Sequence, residues 1–338
     1  MAKKDTLTKQ YLAQDKVFAD AFNYYLFDGK QVIKPTDLKE QDPTEIAVIR
    51  KYGKVFTNQK IRDLLKLCTI RHSKHATLVL LGIEGQSNIH HWMPIRDYLY
   101  DALNYAAQVE EIRKKHIEAN DLTDPAELLS GFTKKDKLIP VITLCICFDK
   151  VKWDAPRSLY EMFGKVDPRI RQYVDDYKLN LITPGEIKDF GKFTSELGLL
   201  LEFIQYSDDK KRMSDIMETR KEYRSVDVRT VDLINTYTAA NISTKAADEE
   251  GRVNMCTAFK EIREDARAEG RAEGRAEGRA EGRAEGRAEG HTEGRAEERT
   301  EIIDYIKKQQ ASGVSPEQIL QSIIKMPSKK TRTRQRRK

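Results

Sequence analysis

The run Thr77-Leu78-Val79-Leu80-Leu81-Gly82-Ile83 passes straight into Glu84-Gly85-Gln86. A stretch this apolar has to be buried, and in a strand successive side chains leave on opposite faces, so Glu84 and Gln86 point the same way. An apolar strand that ends in two convergent polar groups is either a capped strand end or an active site. Asp63 heads a second apolar run, Leu64 to Ile70, and the short basic turn Arg71-His72-Ser73-Lys74-His75 separates the two. Together they predict a hairpin with an Asp at one end and Glu-x-Gln at the other.

The flanking pattern alternates between helix and strand. Residues 10–28 predict a helix ended by Gly29, with Tyr11, Phe18, Phe22 and Tyr25 on one side. Asp15 borders that stripe and is the acid placed to reach a semi-buried site, whereas Asp20 falls opposite, on the wetted side. Residues 30–60 read as a loop with a short helical piece. Pro94 opens a helix to about Val109, whose inward stripe is Ile95, Leu99, Leu103 and Ala106, with Arg96 in its first turn near Glu84. Leu138 to Phe148 is apolar on both faces, the mark of a strand covered on both sides. A short strand at 178–182 follows, then a helical pattern from Gly185 to about Lys260. The fold class is α/β, a strand-helix-strand core (10–165) followed by a helical region (166–262).

Beyond this the composition changes. From Ala268 the chain repeats Ala-Glu-Gly-Arg. Each Gly costs a helix about 1 kcal/mol relative to Ala, and the period sets Glu four residues from Glu and Arg four from Arg, which is mildly repulsive. The expectation for 263–299 is a flexible or partly helical spacer, and the alternative is self-association of one chain's Glu stripe with another's Arg stripe. Residues 300–326 predict two short helices around Gly313, the second opened by the capping box Ser315-Pro316-Glu317-Gln318. A basic tail, 327–338, ends the chain. Lys329 to Lys338 hold seven of the 60 basic residues and none of the 54 acidic ones, so the net charge of +6 belongs to the tail. A tail of this kind suits a polyanion such as DNA.

The four Cys, at 68, 145, 147 and 256, lack zinc spacing, and three lie in strand-like runs, which fits a reducing cytoplasmic setting. There is no apolar signal core, and no run reaches the roughly 18 residues of a membrane span, so no membrane partner is expected.

Asp63 and Glu84 together can bind a hard divalent cation, Mg²⁺ or Mn²⁺, with water completing the shell. Such an ion polarises a phosphodiester oxygen and activates a water. Gln86 would orient that water. It carries no charge, so electrostatic help has to come from Arg62, Lys66 or Arg96. The pairs His72/His75 and His90/His91 fall in loops without a zinc-binding motif and read as surface. The folded part has no Gly-rich phosphate cradle and no Gly-x-Ser-x-Gly.

Four segments carry a resemblance: Gln14-Asp15-Lys16-Val17-Phe18, Arg62-Asp63-Leu64-Leu65-Lys66, Gly82-Ile83-Glu84-Gly85-Gln86 and Met93-Pro94-Ile95-Arg96. In that order they resemble the Rpn family of recombination-promoting nucleases, also described as YhgA-like putative transposases of the PD-(D/E)XK nuclease superfamily. Ile139 to Trp153, Ser195-Glu196-Leu197-Gly198 and the Glu-Gly-Arg repeat fit the same family. The resemblance spans about residues 10–225. It implies a restriction-endonuclease-like mixed sheet flanked by helices, and metal-dependent cleavage of DNA in bacterial recombination or mobile elements. Asp63 and Glu84 match the metal-binding acids. Gln86 stands where the superfamily has Lys, and Asp15 matches an acidic position on the first helix. The contrasting expectation is a catalytically inactive protein of the same fold, with DNA affinity from the tail and self-assembly through the repeat or the C-terminal helices.

Overall fold

The computed structural model describes residues 2–41, 44–51, 54–61, 63–72, 75–245 and 247–325. The chain divides into two compact units, Met1–Glu261 and Ile262–Lys338. The first is built on the expected hairpin. Strands β4 (Leu64–His72) and β5 (His75–Gln86) run antiparallel with Leu64 opposite Ile83 and His72 opposite His75. β1 (Leu38–Glu40) extends the sheet beyond β4. β6 (Val141–Cys147) and β7 (Asn180–Ile182) add in parallel beyond β5, giving a five-stranded mixed sheet in the order β1-β4-β5-β6-β7. β2 (Thr44–Lys51) and β3 (Lys54–Ile61) form a separate antiparallel hairpin where a loop was expected.

Strand alternation gives the sheet two faces. One carries Lys66, Cys68, Leu81, Ile83, Leu144 and Ile146, all buried. Helices α1 (Ala2–Leu12) and α2 (Asp15–Phe27) lie on this side with α7 (Leu197–Tyr206), which is apolar through most of its length. Fully burying one Leu or Phe stabilises by about 1.5–3 kcal/mol, so Phe18, Phe22, Leu200 and Leu201 make this the stabilising core. The other face carries Leu80, Glu84, Thr143, Cys145 and Cys147 and is covered by α3 (Met93–Ala119). There Met93 packs with Cys145, Cys147, Trp153 and Leu179. The three strand cysteines are free and buried, as their apolar setting predicted.

The expected single helix 10–28 is two. The break falls at Ala13-Gln14, where the Ala13 carbonyl accepts the Lys66 ammonium at 2.6 Å; α2 then ends with Asp28 and Gly29 in left-handed backbone. The expectation for Asp20 is reversed. It is buried, and its carboxylate accepts the backbone N–H and hydroxyl groups of Thr194 and Ser195 at 2.6–3.1 Å. A helical stripe cannot reveal a partner 174 residues away. The rest of the first unit is α4 (Pro125–Ser130), α5 (Leu159–Met162), α6 (Pro168–Arg171), α8 (Lys210–Thr219) and α9 (Val228–Tyr237), with a two-residue ladder between β8 (Val226–Asp227) and β9 (Arg252–Val253).

Helix α10 runs unbroken from Met255 to Ala311 and contains the whole repeat. The spacer expectation underrated three of every four residues. Ala, Glu and Arg are among the strongest helix formers, and they outweigh one Gly per turn. Within the second unit Gly313, in left-handed backbone, ends α10. Ser315 then caps α11 (Pro316–Ile324) by accepting the Gln318 N–H, and Ile319 is buried. The tail lies outside the described residues.

Candidate active site

The site lies where β5 runs out beside the start of β4. The register that pairs Leu64 with Ile83 brings Asp63 level with Glu84. Two hydrogen bonds hold the pair together: the Asp63 N–H donates to Glu84 Oε2 at 3.2 Å, and Asp63 Oδ2 accepts the Gly85 N–H at 2.9 Å. Asp63 is half-buried and Glu84 is 0% exposed. Burial raises the Asp63 pKa above the usual carboxylate value, against the opposing pull of the Gly85 N–H and the cations Lys9 and Arg96. Gly85 lets α1 close over the back of this pair. A Cβ there would stand 3.3 Å from both Leu12 Cδ1 and Thr8 Cγ2, and 3.6 Å from Asp63 Oδ2.

Arg96, from the first turn of α3, ion-pairs with Glu84 Oε1 and donates Nε–H to the Tyr100 hydroxyl at 3.0 Å. A fully buried carboxylate without a cation would be several kcal/mol unfavourable, and the Arg96 guanidinium supplies that counter-charge to Glu84. Nearness to Glu84 raises the Arg96 pKa despite the opposing effect of burial. The Arg96 side chain is 29% exposed, so it has solvent to swing into.

Of the residues singled out from sequence, the structure joins Asp63, Glu84 and Arg96. Gln86 is half-buried two residues beyond Glu84, and its carbonyl accepts the Phe148 N–H at 2.8 Å. Asp15 is not brought to Glu84. Its carboxylate pairs with Lys66 Nζ at 2.5 Å, and Lys66 leaves β4 on the opposite face of the sheet from Glu84. The same parity removes Lys66 as a helper for the acid pair. Arg62 lies outside the described residues.

The α3 side also holds groups that were not anticipated. Asp101 accepts the Thr143 hydroxyl at 2.6 Å and the Tyr177 hydroxyl at 2.7 Å, and Asp97 is buried close to Cys145. His90, set aside as surface, is half-buried in the loop between β5 and α3. Burial, and then the Arg96 cation, hold its pKa below the ordinary value, so it is neutral at pH 7. The signal for the buried polar row was the i, i+4 spacing of Asp97 with Asp101 and of Tyr100 with Asn104 on one helix face.

In donor type the acid pair fits a hard divalent cation: two carboxylates, level in register, from neighbouring strands. Among the described residues no group of three His, Cys, Asp or Glu converges, so protein donors would number two and water would supply the rest. A cation reaching Glu84 Oε1 has to displace Arg96. No helix among the described residues is long and apolar enough to cross a membrane. Comparison with family models, with curated proteins and with solved structures finds no match to this chain.

Proposed function

We propose that the chain is a metal-dependent DNA endonuclease that hydrolyses phosphodiester bonds in bacterial recombination or mobile-element biology. The observation that carries this reading is the direct apposition of Asp63 and Glu84 at the end of β5. These two residues would hold Mg²⁺ or Mn²⁺, which when bound polarises the phosphodiester and acidifies water. The chain's own groups have separable parts. Arg96, released from Glu84, presents a guanidinium suited to a phosphate oxygen. Tyr100 fixes where that guanidinium can go. Gln86, on the Glu84 face, is placed to accept or donate a hydrogen bond to the attacking water. His90, neutral and beside Arg96, can take a proton.

The test is nicking of supercoiled plasmid by the purified chain with Mg²⁺, with Mn²⁺ and with chelator. Glu84→Gln and Asp63→Asn should each lower the metal-dependent rate by about 100-fold or more while leaving a cooperative melt, the scale seen when charged active-site groups are removed. Absence of metal-dependent cutting, or cutting by these variants at the parental rate, ends the proposal.

The full burial of Glu84, with its two oxygens engaged by Arg96 and the Asp63 N–H, favours a second reading: a catalytically silent DNA-binding or self-assembling protein. DNA affinity would then come from the tail, fall steeply with salt, and disappear on deleting residues 327–338. Affinity retained after that deletion would count against it.

A further inference from the structure

Two carboxylates beside a phosphodiester need positive charge close by. Of the cations named from sequence, Lys66 is held on the opposite face of the sheet by Asp15 and the Ala13 carbonyl, and Arg96 is taken by Glu84. A further cation comes from α1. Thr8 and Leu12, one turn apart, both approach Gly85 to 3.3 Å from where a Cβ would stand, and Asp63 Oδ2 is 3.6 Å from the same point. This side of α1 therefore adjoins the Asp63 carboxylate. Lys9 follows Leu12 by about 60° around the helix. Its charge acts on Asp63 more strongly than that of Arg96 does, and such pulls fall off with distance. The helix is pinned in this place: the Thr8 hydroxyl accepts from the Tyr237 hydroxyl at 2.7 Å and donates to the Lys4 carbonyl at 3.0 Å, and the Lys4 ammonium lies 3.9 Å over the Tyr237 ring.

Among the described residues the half-buried Lys9 ammonium has no hydrogen bond or ion pair, not even with Asp5 one turn earlier on α1. Its place in the last turn of α1 makes this tolerable, because the helix dipole favours a cation there. Its half-burial fits a stem packed against protein with the charged head left available. We propose that Lys9 is a phosphate-contacting residue of the site, its ammonium meeting a backbone phosphate oxygen of DNA laid over Asp63 and Glu84. This rests on the DNA reading above. A lysine is a compact point charge that suits phosphate without a fixed geometry. Arg96 has to leave Glu84 before it can serve a phosphate, whereas Lys9 has no bond to break.

The experiment combines lysine acetylation of the full chain, read by mass spectrometry with and without a short DNA duplex, with duplex binding over a range of salt concentrations. Duplex should suppress acetylation at Lys9. Lys9→Met should keep the parental melt, lower affinity by about 10-fold, the scale of one charge-assisted hydrogen bond, and reduce the slope of log affinity against log salt by about 0.9. Lys9→Arg should restore the slope. Lys9 acetylated equally with and without duplex, or Lys9→Met binding with the parental slope, overturns the inference. If either occurs in a chain that still nicks plasmid with Mg²⁺, the inference falls alone and the nuclease reading stands. Protection of Lys9 and loss of slope in a chain that never cuts would uphold the contact and end the nuclease reading.

Discussion

The two faces of the β4–β5 hairpin each bury one strand-borne ion, and each answers it from a helix, but with opposite electrostatics. On the α2 face the buried ion is Lys66, 2% exposed, and its partner Asp15 opens α2 at 50% exposure. On the α3 face the buried ion is Glu84, and its partner Arg96 sits in the first turn of α3. A carboxylate at a helix N-terminus is favoured by the helix dipole, and a cation there is disfavoured, by about 0.3–1 kcal/mol each at exposed positions. Lys66 also has the Ala13 carbonyl, freed by the helix break, while Glu84 has the Asp63 N–H. The Lys66 pair is therefore a clasp that every neighbouring dipole reinforces. The Glu84 pair joins the same type of groups across a helix end that resists the cation, and so it is the pair poised to exchange its partner.

The comparison breaks most visibly at the clasp. Asp15→Ala leaves the buried Lys66 ammonium with the Ala13 carbonyl and the Glu40 carboxylate at 3.7 Å, and should lower stability by about 2–3 kcal/mol, read from urea unfolding, with no recovery on adding Mg²⁺ or Mn²⁺. Arg96→Met should destabilise less, about 1–2 kcal/mol, because Glu84 can take a proton or a metal ion instead. Divalent metal should raise the melting temperature of Arg96→Met and leave Asp15→Ala where it was. Equal metal response in the two variants would erase the distinction drawn between the faces.

The smallest effect concerns Asp63. Its folded pKa is raised by burial, so the native state holds its proton more tightly than the unfolded chain does. The resulting stabilisation is complete below the unfolded value of about 3.9 and is lost as pH climbs through the raised folded value. Asp63→Asn keeps an acceptor for the Gly85 N–H and drops the charge. It should melt slightly above the parent at pH 7, with the gap closing below pH 4. A parent that melts higher at pH 7 would mean that Asp63 is stabilised as a carboxylate and that the site is less desolvated than its geometry implies.

What could be read before the structure follows the range of the interactions. The hairpin was legible because two apolar runs flank one short basic turn, so Asp63 and Glu84 had to arrive together. The proximity of Arg96 followed from the brief connection between β5 and α3. Asp20 and Asp15 were assigned the wrong way round because their partners, Ser195 and Lys66, lie 175 and 51 residues away. The inward stripe of α3 held only in part, for a related reason: Leu99 and Leu103 are half-buried, Ile95 and Ala106 are exposed, and Asp97, Tyr100, Asp101 and Asn104 take the buried side. Periodicity ranks helix faces by hydropathy, and here the buried polar groups of the sheet outranked it. The helical repeat was misjudged by weighing its glycines and repelling charges above the propensity of the other residues.

The backing of the acid pair by Gly85 carries a mechanical consequence. With Leu12 and Thr8 already at van der Waals distance from where a Cβ would stand, β5 has no slack toward α1, and the strand cannot retreat to make room for an incoming group. Among the described residues, the half-exposed side chain paired with Glu84 is Arg96, and an opening toward Glu84 comes from its movement. Among the described residues, access to Glu84 is thereby a door hinged on Arg96 and braced by Tyr100, with a close-packed wall behind it.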